Sequence, residues 1–532
     1  MVLKKTFLTW IKDFVFLKDF YIPSFKIASM RIILLFFLLF TTELAFAQIS
    51  REEIIKASET QLRSSLIEFR EYLSLPNNGN SPADIVLNLD WTQKALRERG
   101  FQTQILTGNG VPHLFAQGKM DPKKKTILVY MQVDGQAVDS SAWNQESPYI
   151  PELMEEIEGK WEPINWNFLD GKINLEWKIF ARSASDSKGP TMAFFSALDI
   201  LQQKGIEPSV NLKLILDFQE EISSPELAPL VSANKDLFHA DGILILDGTR
   251  HFSNLPNLAF GARGIVTATI KVFGPSNNLH SGQYGNFAPN PAFQLSRLLA
   301  AMKDESGKVL IPGFYEGVSI SEADFKAMSE IPEDNVEMAH EMGFAEAEKV
   351  GRNYQEALQF PSLNIRGLKS GWVGSEVRTL IPAEAVVEID IRTVKETPNE
   401  RQLALLQKFI LEQGYYLIEG SEPTEEERKS YSKIASLKTR NGSEPFRAAM
   451  DSEFAFWLDR GMTHVFGDQY IKTRQTGGSQ PMAPFINILG APAVSVRIPN
   501  PDNNIHGPNE NIRIGNFLEG IQTCLGILTQ AF

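Results

Sequence analysis

The sequence predicts an α/β fold in which a layer of helices and mostly parallel strands is interrupted by a smaller α+β region. Three observations predict it: short apolar runs separated by helical spacing in both outer parts of the chain, strictly alternating strands between them, and a length of 532 residues, too long for one ordinary domain. Taken in order, Ser50 and Glu53 form a capping box ahead of an amphipathic helix that carries Ile54, Ile55, Leu62 and Leu66. A second helix is expected over 90–99, stopped by Gly100. Residues 126–131 follow a Lys-rich turn and read as a buried strand. A helix over 190–202 comes next, then core strands at 212–218 and 242–246. The texture changes after Phe260. Residues 264–272 alternate, with Ile265, Thr267 and Thr269 set against Val266, Ala268 and Ile270. A helix over 291–303 leads to a second alternating strand at 386–392, where Val387, Ile389 and Ile391 oppose Glu388, Asp390 and Arg392. A helix over 400–413 follows. The α/β pattern then resumes with a helix at 446–459 and a strand at 493–498. The chain thus divides into a leader (1–47), a first part of the main layer (48–261), an insert (262–430) and a second part of the main layer (431–532).

With 43% hydrophobic and 22% charged residues, the chain can bury a large core and is not a disordered, solvating sequence. A net charge of −13, without a Lys/Arg cluster interleaved with aromatics, argues against a nucleic-acid partner. The single cysteine, Cys524, cannot form an intrachain disulfide and reads as a small buried hydrophobe in an apolar run. In the leader, Met30 and Arg31 precede an apolar stretch from 32 to 40 and then Ala45-Phe46-Ala47. These are the parts of a secretory signal at about 30–47 with cleavage after Ala47. They imply an exported protein, periplasmic or secreted, with no stable membrane span in the mature chain. An uncleaved anchor is the alternative. Residues 1–29 fit poorly as the basic region of such a signal and read as an extension ahead of a natural start at Met30.

Acidic residues and one late histidine fall at the ends of the expected core strands. They are Asp134 after the first, Asp186 in a loop opening onto a helix, Glu220 and Glu221 after the third, Asp247 after the fourth, and His506 near the end. Open α/β sheets place their ligands at the carboxyl ends of strands. Several carboxylates in one cleft repel each other unless cations compensate them, and carboxylate with imidazole suits zinc or a similar divalent ion. Each acid taken singly also reads as an ordinary solvated loop residue. The adjacent Glu220-Glu221 pair is more informative, because one can ligate while its neighbour handles protons.

The motifs in order carry a family resemblance from about Ile54 to Ile521. They are Tyr130-Met131-Gln132-Val133-Asp134-Gly135, Ala181 through Gly189 with Ser185-Asp186-Ser187-Lys188-Gly189, and Glu220-Glu221-Ile222-Ser223-Ser224-Pro225. Asn278-Leu279-His280-Ser281-Gly282, Gly477-Gly478-Ser479-Gln480-Pro481 and His506-Gly507-Pro508-Asn509-Glu510 follow. The chain resembles the family of carnosinase, cytosolic non-specific dipeptidase, aminoacylase and succinyl-diaminopimelate desuccinylase, and most of all its dipeptidase branch. The resemblance implies a zinc-exopeptidase-like catalytic domain with an inserted α+β lid and dimerisation domain. It also implies a homodimer and a small peptide or N-acyl amino acid as substrate. One or two divalent ions are implied, zinc first, with manganese or cobalt as alternatives. Asp186 would bridge two ions, Glu221 and His506 completing one position and Asp247 and Gln132 the other. Glu220 would be the general base, Asp134 would orient its neighbours, and His280 from a partner subunit would stabilise the carbonyl oxyanion. Arg392 and Ser479 would hold the substrate's C-terminal carboxylate. Lys188 reads as structural.

Gln132 stands where the family has a histidine. An amide oxygen is a neutral, weaker ligand, so that half of the metal site is poor while Asp186, Glu221 and His506 remain complete. Serines at 183 and 223 replace glycines of the pattern. The readings that follow are an active metallohydrolase acting on small peptides or N-acylated amino acids with an unequal metal pair, a catalytically weak or inactive binding homologue, and a related amidohydrolase with a different small substrate.

Overall fold

The computed structural model describes residues 49–108 and 110–532, so the expected signal at 30–47 and the extension before it lie outside the described residues. Apolar runs without alternation become strands buried on both faces: every residue of Asn211–Asp217 is buried, and all but the first of Thr126–Gln132. They lie inside an eight-stranded sheet. Its order is Gln102–Thr107, Pro112–Gln117, Asn211–Asp217, Thr126–Gln132, Gly242–Ile245, Ala493–Arg497, Asn257–Ala259 and Ile471–Thr473. The middle four strands run parallel. Antiparallel pairs flank them on both sides, so the sheet is mixed around its parallel centre. The physical reason lies at one edge, where a short turn carrying Gly108 and Gly110 joins the first two strands, and a short connection allows only antiparallel pairing.

Register sets the site. Tyr130 and Ser495 both stand level with Ile245 on neighbouring strands. Two residues further on, Gln132, Asp247 and Arg497 therefore leave three adjacent strands at one level and from one face.

The helices Lys188–Lys204, Arg51–Leu73 and Ile514–Thr529 pack together against this layer. Glu453–Phe466 crosses Ile514–Thr529 at two glycines. A Cβ on Gly526 would stand 2.7 Å from the Gly461 carbonyl oxygen, and one on Gly461 would stand 2.6 Å from the Ile527 Cα. Two expected helices are displaced. The helix expected over 90–99 spans Pro82–Glu98, because Ser81 caps it by accepting from the Asp84 N–H and Pro82 sits in its first turn. The one expected over 446–459 begins at Glu453, capped by Ser452, while Phe446–Arg447 pairs as a strand with Gly261–Ala262. Cys524 is buried as expected, 2% exposed.

The alternating segments build a second, five-stranded sheet. Its order is Ser362–Lys369, Glu384–Thr393, Gly264–Phe273, Ile434–Asn441 and Tyr416–Leu417. Val266, Ala268, Ile270 and Val272 face a core shared with the helices Pro291–Met302 and Asn399–Glu412. Its fourth strand, Ile434–Asn441, lies beyond residue 430. The chain between this sheet's strands also folds back, through Tyr354–Ala357, toward the end of the main sheet. No described helix is long and apolar enough to cross a membrane.

Candidate metal centre

Three of the expected ligands converge. His506 Nε2 lies 3.0 Å from Asp186 Oδ2 and 3.5 Å from Glu221 Oε2. One ligand atom from each residue falls within 4.8 Å of the other two. They come from distant segments, and each is held from behind. Asp186 sits in the loop before the helix Lys188–Lys204, and that loop is organised by a residue without an assigned role in the sequence, Glu510. Its fully buried carboxylate accepts from the N–H groups of Ser183, Ser185 and Asp186 at 2.9–3.0 Å, from the Ser185 hydroxyl at 2.9 Å and from Arg182 Nη1 at 2.7 Å. Lys188 is structural, donating to the Tyr72 and Leu75 carbonyls at 2.9 and 2.8 Å. Ser183 and Ser223, which replace glycines, adopt φ of 62° and 76°, the left-handed region that glycine would take more easily.

Glu220 and Glu221 ride on a single short turn after Asn211–Asp217. Asp134 fixes that turn: its carboxylate accepts from the Glu220 N–H at 3.0 Å and from the Glu221 N–H at 3.1 Å. Gln136 Nε2 donates to Glu221 Oε2 at 2.8 Å. Crowding of acids sets the electrostatics. Burial, then Asp247, Asp186 and Glu221, push Glu220 well above its ordinary value. Burial and the Asp186 charge raise Glu221 to about 9, and burial raises Asp186 to about 6 against the hydrogen bond from His506. That bond in turn raises His506 to about 9. A cation among these groups reverses the balance.

The donor set fits one divalent ion. Two carboxylates and an imidazole converge, and the buried Glu221 Oε1 has no hydrogen-bond partner. The expected second position brings the Asp247 carboxylate and the Gln132 amide into the same cavity as Asp186. Gln132 turns its amide nitrogen, not its oxygen, to Asp186, and Gln480 does the same to Asp247. Among the described residues, the Asp186–Glu221–His506 group is the one cluster of this kind.

A cavity of about 360 Å³ opens over the cluster, lined among others by Gln132, Asp186, Glu220, Asp247, Ser479 and His506. Tyr354, Gln355 and Leu358 from the inserted region close part of its wall. Arg392 Nη1 donates to Ser479 Oγ at 2.8 Å at the rim. Sequence reading missed a second guanidinium there. Arg263 donates to the Gly477 carbonyl at 3.3 Å and to the Ser362 hydroxyl at 3.4 Å, and burial together with the Arg392 charge lowers it to about 10. His280 is not brought to this cavity; it is exposed on the inserted region, where Nδ1 accepts from the Gly282 N–H at 3.1 Å.

Comparison with known proteins agrees with this geometry. The model of a family described as Peptidase family M20/M25/M40 matches residues 159–530. The chain is 25% identical over 419 residues to the Cys-Gly metallodipeptidase of Schizosaccharomyces pombe, covering 77% of this chain and 81% of the relative. It is 26% identical over 418 residues to the Beta-Ala-His dipeptidase of Homo sapiens, covering 77% and 75%. In fold it is similar to an M20 family metallo-carboxypeptidase from Sulfolobus solfataricus, with a TM-score of 0.69 at 24% identity over 87% of this chain and 98% of the other. Human carnosine dipeptidase 1 superposes with a TM-score of 0.64 at 21% identity, over 90% and 99%. A family match across most of the chain, with an intact acid–acid–imidazole cluster in its cleft, makes the protein a metallopeptidase that belongs to peptidase family M20/M25/M40.

Proposed function

We propose that the protein hydrolyses the amide bond of dipeptides or short peptides with a free C-terminal carboxylate, with N-acyl amino acids as the second substrate class. The observation that carries this reading is Glu220, which lines the cavity beside the complete Asp186–Glu221–His506 cluster without itself belonging to it. Asp186, Glu221 and His506 would hold a divalent ion, zinc by their carboxylate–imidazole chemistry, which would supply Lewis-acid chemistry when bound. Glu220 then takes the proton of the attacking water and delivers it to the departing amine, while Asp134 keeps the turn carrying Glu220 and Glu221 in place. Arg392 and Ser479 hold the substrate carboxylate, and Arg263 joins them. Two guanidiniums held close, neither in an ion pair among the described residues, favour an anion between them. The names of the two dipeptidase relatives support short peptides as the substrate class. In this reading the protein acts as an exported homodimer, in which His280 of one chain serves the site of the other.

The test is turnover on a panel of unblocked dipeptides and N-acyl amino acids, compared with Glu220→Gln. Loss of the base lowers kcat by about 10²- to 10⁴-fold while metal content stays at the wild-type value. A metal-loaded wild-type protein that turns over nothing on the panel ends the proposal, as does a Glu220→Gln variant with unchanged kcat.

A further inference from the structure

The sheet register brings Gln132, Asp247 and Arg497 out at one level, and what they do there departs from a second metal position. A cation needs carboxylate lone pairs directed at it. Here those lone pairs already face donors. Gln132 Nε2 donates to Asp186 Oδ1, and Gln480 Nε2 donates to Asp247 Oδ2. The Ser187 hydroxyl lies 3.1 Å from Asp186 Oδ1 and 3.1 Å from Asp247 Oδ1, between the two. The Gln480 amide is oriented from behind, whereas Gln132 Oε1 is buried without a hydrogen-bond partner. Ser495 Oγ donates to Gln480 Oε1 at 3.4 Å, which directs the Gln480 nitrogen to Asp247. Turning Gln132 over would set its oxygen against a carboxylate oxygen, acceptor against acceptor.

Arg497 supplies the charge. Its guanidinium lies across the backbone of Gly248, the residue after Asp247: a Cβ there would stand 1.3 Å from Nη1. Gly248 has φ +89 as well, so glycine is needed twice over, for the turn and for the guanidinium. Arg497 lines the same cavity, and Nη2 donates to Thr476 Oγ1 at 3.5 Å. Its Nε is buried without a hydrogen-bond partner, and it forms no ion pair among the described residues. Burial lowers its pKa, and the charges of Asp247 and Asp186 act in the opposite direction. A guanidinium stays charged at such a place and cannot be a metal ligand.

We infer that this chain is a one-metal enzyme in which Arg497, with the amides of Gln132 and Gln480 and the Ser187 hydroxyl, permanently occupies the electrostatic role of a second ion. This inference rests on the metallopeptidase reading of the site, but it concerns only how the charge of Asp247 is balanced.

Metal analysis and calorimetric titration of gel-filtered wild-type protein with Zn²⁺ test it without any assay of activity. One ion per chain binds tightly, and a second binds at least about 100-fold more weakly or not at all. Gln132→His alone leaves that stoichiometry unchanged, because Arg497 and Gln480 remain. Gln132→His combined with Arg497→Met gains a second ion, and on loading with Mn²⁺ it gives the electron paramagnetic resonance spectrum of a coupled pair. Thermal melts confirm that each variant folds. Two equally tight ions in the wild type overturn the inference, even if the protein hydrolyses peptides as proposed. A second tight ion in Gln132→His alone removes Arg497 from it, and a folded double variant that still binds one ion does the same. One tight ion without peptide turnover leaves this inference standing and sinks the proposed substrate class instead.

Discussion

Asp217 ends the strand that delivers Glu220 and Glu221, and it is fully buried among donors. Tyr130 Oη donates to it at 2.9 Å, the Ser224 hydroxyl donates to the same oxygen, and His113 Nε2 lies 3.4 Å from the other. Burial alone would raise its carboxyl. The His113 ring, the Ser224 hydroxyl and the Gln219 N–H outweigh burial and hold it below its ordinary value. A depressed acid contributes stability that is complete above its unfolded pKa, about 3.9, and is lost as pH falls through the folded value. Urea midpoints for the wild type and Asp217→Asn should therefore differ at pH 7 and converge below about pH 4. A gap that stays constant with pH would contradict this. At this scale the sequence shows much of the site, because Asp186, Glu221 and His506 stand in recognisable motifs. It hides Arg497 and Glu510. An arginine ending a strand reads as a surface cation, and only the parallel pairing of Ala493–Arg497 with Gly242–Ile245 places it beside Asp247. Glu510 closes a motif whose histidine draws the attention, and its five donors come from some 325 residues earlier.

Elements were legible where periodicity was clean and blurred where a cap decided. The strands that were expected fall within a residue or two of their place, since burial on two faces or on one leaves an unambiguous pattern, whereas edge strands such as Gln102–Thr107 and Ser362–Lys369 carry too little burial to be read. The helices Pro82–Glu98 and Glu453–Phe466 start where serine side chains accept from the first turn, which apolar spacing alone does not reveal. Close packing of elements was invisible as well. The contact of Gly461 with Gly526 lets Glu453–Phe466 and Ile514–Thr529 approach with backbone against backbone. Gly526→Ala forces them apart and should cost about 1–3 kcal/mol of unfolding free energy, measured by denaturant titration. An unchanged midpoint would mean that the helices slide to admit the methyl group.

At the scale of the whole molecule, the unexpected feature is how far the inserted region reaches back. Tyr354, Gln355 and Leu358 join the cavity wall, so substrate entry depends on two parts of the chain that fold around separate sheets. His280 of the same region is exposed and away from that cavity. If it serves the site of a second chain, complementation reads it out. Glu220→Gln and His280→Ala are each inactive alone, but mixed in equal amounts with subunit exchange they recover about a quarter of wild-type activity, because half the dimers carry one intact composite site. No recovery, with exchange verified by mass, would confine each site to its own chain.

The cradle that Glu510 forms around the Asp186 loop also sets an order of events during folding. The N–H of Asp186 and the carboxylate that receives it are 324 positions apart. A segment holding only Asp186 and Glu221 can neither shape the loop nor complete the ligand set; both wait for the segment of His506 and Glu510 to dock. Metal capture is thereby tied to long-range closure of the fold rather than to any local motif.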